Sequence, residues 1–457
     1  MLGTRRISVP AHDGTDYTLR SSIQIVATLD AVLAGPSRSA RTSNPAGAPR
    51  RAPRRLSAHL DALTGLRAVA ALLVVATHAA FATGALTDTF LGNVYARLEV
   101  GVPIFFALSG FLLFRPWVRH ALDGRAEQPR LRRYTRSRVR RILPAYVVTV
   151  LAVFAVYTVF TPGPNPGQSW SGLLRYLTLT HIYTDDFLIT LLHPGLSQMW
   201  SLAVEVSFYA VLPALAYLLL TVLCGGRWRP GLLLAGLGAL AAVGPLWLIA
   251  HYGGDWLPNS AGMWLPAHLT PFAGGMALAV LHAMGVRARA ATTLPLAVLA
   301  FLLVSTPIAG GTALTEQQLS QPLAKAMLYA AVALLLLAPL VLGDRGWFPR
   351  VLGSRPLVWL GEISYEIFLV HVAVMAIAMH LVLDWPLFTG STLGLMLTTL
   401  ALSIPLAWLL RRLTQARARS AGTSSVSARP RCEAASFSAG LNSAAERDDP
   451  SGMKIGS

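Results

Sequence analysis

Apolar residues fall in runs of about twenty along this chain, separated by short clusters of arginine, proline and glycine. A run must be about twenty residues long to carry a helix through roughly 30 Å of hydrocarbon. Such runs lie near 61–82, 98–116, 141–160, 200–223, 231–251, 263–284, 292–309, 324–342, 357–382 and 391–410. They predict ten crossings, an even number that returns both ends to one side. The first run carries two ionisable residues, Arg67 and His78. Their spacing is close to three helical turns, so they share a face and lie about 16 Å apart along the axis. Ionisable groups inside a spanning helix are costly and mark functional sites by default. The plainer reading has Arg67 snorkelling to the headgroups and His78 bonding a neighbouring helix.

The arginines gather at the ends of alternate runs. Arg115, Arg119, Arg125, Arg130, Arg132, Arg133, Arg136, Arg138, Arg140 and Arg141 crowd one loop. Arg227, Arg229, Arg287, Arg289, Arg345, Arg350, Arg355, Arg411 and Arg412 fall in loops of the same parity, whereas the opposite loops hold little beyond Arg97, Arg175 and Lys325. This is the positive-inside pattern, and it predicts an all-α polytopic membrane protein of about ten transmembrane helices with both termini cytoplasmic. The segment 171–192 is also apolar, but it contains Arg175, His181, Asp185 and Asp186. A crossing there would put the arginine loops outside, so it reads as an external or re-entrant element walling a cavity.

Composition agrees, since 54% hydrophobic and 13% charged residues exclude an ordinary soluble protein. The net charge of +17 reports topology and not nucleic acid, because the arginines are neither spread over a polar face nor interleaved with stacking aromatics. Residues 1–56 and 413–457 are rich in Arg, Ala and Ser and read as disordered tails around a membrane domain at 57–412. Cys224 and Cys432 make neither a disulfide framework nor a zinc site. His181 and Asp185 share a helical spacing but have no third ligand, so no metal is expected. Abundant Arg and Ala point to a GC-rich bacterial genome, hence to a bacterial inner or plasma membrane.

Five segments resemble the membrane-bound acyltransferase 3 family. They are LTGLRAVAALLVVATHA (63–79), GVPIFFALSGFLLFRPW (101–117), RYTRSRVRRILPAY (133–146), WSLAVEVSFYAVLPAL (200–215) and LGEISYEIFLVH (360–371). The first matches that family's Arg, ten residues, His motif, and Arg138 and Arg141 stand at its Arg-x-x-Arg position. The resemblance implies an O-acyltransferase acting on carbohydrate hydroxyls, with His78 as base. Thr64 stands where many members have Asp, which removes one partner for Arg67. Many relatives carry a hydrolase-like domain after the last helix, which the 45 residues after Arg412 are too few to make, so a stand-alone transferase is expected.

The chemistry sets its own requirements. Acyl transfer from a thioester to an alcohol needs a base for the hydroxyl and cations for the phosphates of the donor. His78 suits the first role, with Arg67 as its companion in the catalytic pair. Arg138 and Arg141, at the mouth of the third span, suit coenzyme A phosphates, although topology alone also favours arginine there. Glu205 lies in an apolar helix and must be paired or protonated; pairing with Arg67, orienting a histidine, or bridging two helices are all open. Ser109 has a hydroxyl, but its Ser-Gly setting reads first as close helix packing. Tyr365 and His371 are candidate polar groups of the cavity. The expected donor substrate is acetyl-CoA or another acyl-CoA, with no permanently bound cofactor. The expected acceptor is a hydroxyl of a glycan or glycosylated small molecule. A transporter or flippase of an amphipathic glycoconjugate, or a catalytically silent sensor, is the alternative.

Overall fold

The computed structural model describes residues 54–124, 129–184, 192–254, 256–311 and 318–423, with side chains described from 61 to 414 within those ranges. These residues form helices and turns without a strand. In chain order the helices are α1 (Arg54–Ala82), α2 (Phe90–Arg97), α3 (Gly101–Asp123), α4 (Leu131–Val156), α5 (Trp170–Leu177), α6 (Met199–Tyr217) and α7 (Pro230–Tyr252). They continue with α8 (Leu269–Ala283), α9 (Ala290–Val304), α10 (Ser320–Val341), α11 (Trp347–Leu352), α12 (Arg355–Glu362), α13 (Ser364–Ile377) and α14 (Thr392–Thr423).

Among the described residues nine helices are long and apolar enough to cross a membrane, and the fifteen-residue α9 is apolar but short. These are the ten predicted runs. At 1.5 Å per residue α9 extends only about 22 Å. Pro307 stops it from continuing, and its end is capped by Arg97, which the sequence suggested was merely an outlying loop charge. Arg97 is buried and donates to the carbonyls of Val304 at 3.0 Å, Ala309 at 3.1 Å and Gly310. A cation on carbonyls that a helix terminus leaves unpaired is favoured by both hydrogen bonding and the helix dipole.

Other boundaries also differ from the apolar limits. The helical backbone starts at Arg54 and continues to Thr423, past the tail boundaries drawn at 56 and 413. Ala and Arg are strong helix formers, so charge there ends the apolar run without ending the helix. The tails at 1–53 and 424–457 lie outside the described residues. The predicted run 357–382 is broken into α12 and α13 at Ile363. Gly361 lies so close to α1 that an added Cβ would sit 1.9 Å from the Thr64 carbonyl oxygen, and Ser364 Oγ donates to the Gly361 carbonyl at 2.8 Å. Among the described residues of 171–192 the helix is α5, eight residues long; residues 185–191, with Asp185 and Asp186, lie outside the described residues.

Prolines within these helices each remove one backbone hydrogen bond, freeing the carbonyl four residues earlier. At two of them a neighbouring helix supplies the missing donor, as a membrane interior favours. Pro213 frees the Tyr209 carbonyl, which accepts from Tyr134 Oη at 3.0 Å. Pro245 frees the Ala241 carbonyl, which accepts from Thr270 Oγ1 at 2.8 Å. Small residues bring α3 and α8 into their extensive contact. A Cβ on Gly110 would meet the Phe272 oxygen at 2.1 Å, and one on Gly275 would meet the Ala107 oxygen at 2.0 Å.

Alternation of the helices places the arginine-bearing loops at one end of the bundle, where Arg411 pairs with Glu362 at 3.1 Å. The opposite end is tied by Thr83 to Thr392 at 2.8 Å, by Phe388 N to the Ala82 carbonyl at 2.8 Å, and by Arg97. Exposed Trp170 and Trp256 lie toward this second end, and exposed Trp347, Trp359 and Trp408 toward the first. Tryptophans at both ends of an apolar bundle match the two membrane interfaces.

Candidate active site

A cavity of about 380 Å³ opens among α1, α3, α4, α6 and α13 toward the arginine-bearing end. Arg67, Arg138, Arg141, Glu205, Ser109 and Tyr365 all line it, together with Tyr209 and apolar side chains of α3. Six of the eight candidate residues thus converge from five helices. The face of α3 that meets the cavity runs through Val102, Phe105, Phe106, Ser109, Leu112 and Leu113, the three- and four-residue spacing of one helical stripe.

Three guanidinium groups face one carboxylate here. Glu205 does not pair with Arg67: Ser109 Oγ and Tyr209 Oη both donate to its Oε1. Tyr209 is four residues after Glu205 on α6, and so reaches the same face. Ser109 also lies 3.4 Å from Tyr209 Oη. The close packing expected of Ser-Gly belongs to Gly110, while the Ser109 hydroxyl is engaged in the cavity.

Among the described residues no hydrogen bond or ion pair holds the Arg67 or Arg141 guanidinium. Arg138 has one contact, Nη2 to Ser137 Oγ at 3.2 Å, and its Nε is buried without a partner. Tyr365 donates to the Ile142 carbonyl at 3.0 Å, which pins α13 to α4 beside the Arg138 and Arg141 pair. The cavity therefore carries a cationic surplus with unused donors, a setting suited to an anion with several oxygens.

His78 and His371 do not line this cavity; they form a pair of their own. Their rings meet edge to face with centroids 5.0 Å apart. His78 Nδ1 lies 2.7 Å from the Val74 carbonyl and His371 Nδ1 lies 2.8 Å from that of Phe368. A carbonyl accepts only, so each Nδ1 carries the hydrogen and each neutral ring keeps a lone pair on Nε2. His371 is fully buried and its Nε2 has no partner among the described residues. Phe368, whose carbonyl holds His371, itself lines the arginine cavity, so the deep end of the cavity is about one helical turn from the histidine pair. The same Phe368 carbonyl and that of Leu369 accept from Gln198 Nε2 at 3.3 and 2.9 Å, which fixes α13 against the start of α6.

Tyr209 escaped the sequence reading, although its position four residues after Glu205 was available as a signal. Glu99 and Lys325, which pair at 2.5 Å at the opposite end, gave none, because they are distant in sequence and come from different helices. Among the described residues no group of three His, Cys, Asp or Glu is placed to hold a metal ion.

Comparison with known proteins agrees with this architecture. The family model described as an acyltransferase domain matches residues 60–412. The chain is 24% identical over 354 residues to peptidoglycan O-acetyltransferase OatA of Listeria monocytogenes, covering 70% of this chain and 50% of that protein. It is 31% identical over 158 residues to acyltransferase MdmB of Streptomyces mycarofaciens, covering 34% of this chain and 38% of that one. The aligned part is thus half or less of the length of these curated relatives. No solved structure matches.

Proposed function

The chain belongs to the acyltransferase 3 family, and from that premise we propose that it is an integral membrane O-acyltransferase. It takes an acetyl or other short acyl group from acyl-CoA and transfers it to a hydroxyl of a cell-envelope glycan or glycosylated metabolite. The membrane is the bacterial inner or plasma membrane, with the arginine-bearing end cytoplasmic. The observation that carries the donor assignment is the meeting of Arg67, Arg138 and Arg141 around a cavity whose carboxylate is already engaged by Ser109 and Tyr209. Such a surplus of guanidinium donors suits pyrophosphate and ribose phosphate oxygens.

In this reading the phosphates rest on Arg138 and Arg141, and the pantetheine arm runs along α3 toward the histidine pair. His78 Nε2 takes the proton of the acceptor hydroxyl as its oxygen attacks the thioester carbonyl. Collapse of the tetrahedral intermediate breaks the carbon–sulfur bond, and the imidazolium returns the proton to the departing thiolate. Arg67, deep in the cavity and about 16 Å from His78 along α1, steers the donor without touching the base.

The test compares mass spectra of envelope glycans and secreted glycosides from a deletion strain, its parent and a complemented strain. Loss of an alkali-labile acyl increment, restored by the intact gene, is the expected result. Identical acylation in all three strains would overturn the proposal.

A further inference from the structure

A second cavity, of about 220 Å³, opens at the end of the bundle away from the arginine loops. We infer that this cavity, framed by Glu99, Lys325, His268, Trp200 and Tyr252, is a binding site for one neutral sugar ring, the acceptor whose hydroxyl is acylated. The acceptor role rests on the O-acyltransferase reading, whereas the sugar site rests on the groups that line the cavity.

Its charge differs in kind from that of the first cavity. Lys325 Nζ meets Glu99 Oε1 at 2.5 Å, and Tyr329 Oη donates to the same oxygen at 2.9 Å. One cation thus answers one anion, and no surplus remains to attract a charged ligand. Hydrogen-bonding capacity does remain. Both contacts use Oε1, so among the described residues Glu99 Oε2 is left as an acceptor, and the ammonium of Lys325 has three donors. The two side chains are 30% and 40% exposed, Lys325 and Glu99 respectively, so the pair is not sealed in the core. His268 lines the cavity, and its Nε2 is buried without a partner among the described residues. Vicinal hydroxyls, each both donor and acceptor, are the neutral ligand that uses such a set.

The walls supply the other half of sugar recognition. Trp200 and Tyr252 line the cavity from α6 and from the end of α7, and flat aromatic faces suit the apolar C–H face of a pyranose ring. The volume is below the roughly 300–1,000 Å³ common for pockets that hold drug-sized ligands, which fits a single ring.

Position links the site to the chemistry. Val102 lines both cavities, so they lie end to end along α3. Thr77 Oγ1 donates to the Ala96 carbonyl at 3.4 Å, and the turn Leu98–Val100 packs against α1. The next residue after Thr77 is His78, which therefore stands at the level of the Glu99 end and not of the arginine end.

The test uses the full chain in lipid nanodiscs and a diazirine derivative of methyl β-D-glucopyranoside as photolabel, with labelled peptides mapped by mass spectrometry. Labelling should fall on the peptides that carry Glu99, Trp200, Tyr252 and His268. Excess methyl β-D-glucopyranoside should suppress it and coenzyme A should not. Tyr252→Ala, at an exposed wall position, should weaken labelling about tenfold while coenzyme A binding is unchanged. Labelling confined to the arginine cavity, suppression by coenzyme A, no saturable labelling, or an unaffected Tyr252→Ala variant would each overturn the site. A protein that labels as expected, yet transfers no acyl group from acyl-CoA to any glycan, would keep the sugar site and refute the transferase reading instead.

Discussion

At the residue scale, an arginine without a partner says more than a paired one. Arg138 and Arg141 are three residues apart at the start of α4, reach one cavity, and are not consumed by ion pairs among the described residues. A charge-assisted bond contributes about 1.5–3 kcal/mol, so Arg138→Ala and Arg141→Ala should each raise the apparent KM for acyl-CoA at least about tenfold. Lys substitutions should restore part of the loss, because an ammonium lacks the planar fork. Steady-state kinetics with acyl-CoA and its 3′-dephospho form check this, and equal use of both donors by the parent protein would remove the phosphate role. His78→Gln keeps size and polarity but is no base at neutral pH, and should lower turnover by about 10²–10⁴-fold with coenzyme A binding intact. A loss below about tenfold would leave His78 a structural residue. Arg67 and His78 were legible through a helical interval that can be counted, whereas Arg138 and Arg141 were picked out of an arginine-rich loop by the resemblance and by their place at the mouth of the third span. Of the two partners of Glu205, Tyr209 was within reach of the same counting, but Ser109 was not, because it lies 96 positions away and only helix packing decides that contact.

At the element scale, apolar runs located the nine helices that, among the described residues, are long and apolar enough to cross a membrane, and the shorter α9, yet their ends followed other rules. The end of α9 at Val304 follows a local stop, since Pro307 cannot continue the helix, but the capping Arg97 reaches it across 207 positions, which no local signal reveals. Close approach of α3 and α8 was legible only as Ser-Gly. Gly110→Val should destabilise the protein by about 1–3 kcal/mol through overpacking, read as a lower midpoint in thermal unfolding in detergent; Ser109→Ala should not share this loss. The segment between α4 and α6 carries a pH dependence of its own. His193 is buried, accepts from Gly195 N at its Nδ1 at 3.1 Å, and lies 2.8 Å from Gln168 Oε1 through Nε2. Burial lowers its pKa from 6.5 to about 4, and does the same for His181. The unfolded segment therefore binds more protons between these values, so folding stability is full above about pH 6.5 and is lost as pH falls toward 4. Limited proteolysis between Thr158 and Gln198 should accelerate at pH 5 relative to pH 7.5, and a flat profile would contradict this.

For the whole molecule, two cavities of unlike character occupy the two ends of one bundle and share Val102. Arginine parity along the chain made the polarity of that arrangement legible, but not the existence of the second cavity, whose walls come from five separate stretches of chain. A tag after Gly124 should be cytoplasmic and a tag near Gly167 external, and finding both on one side would sink the ten-crossing topology. We propose that donor and acceptor enter from opposite faces and meet at His78. Inverted membrane vesicles, with the arginine-bearing face outward, test this most directly when radiolabelled acetyl-CoA is supplied only outside. The predicted result is alkali-labile label on enclosed glycan, lost in vesicles carrying His78→Gln. Label confined to the outer compartment, or equal labelling by the His78→Gln protein, would contradict it.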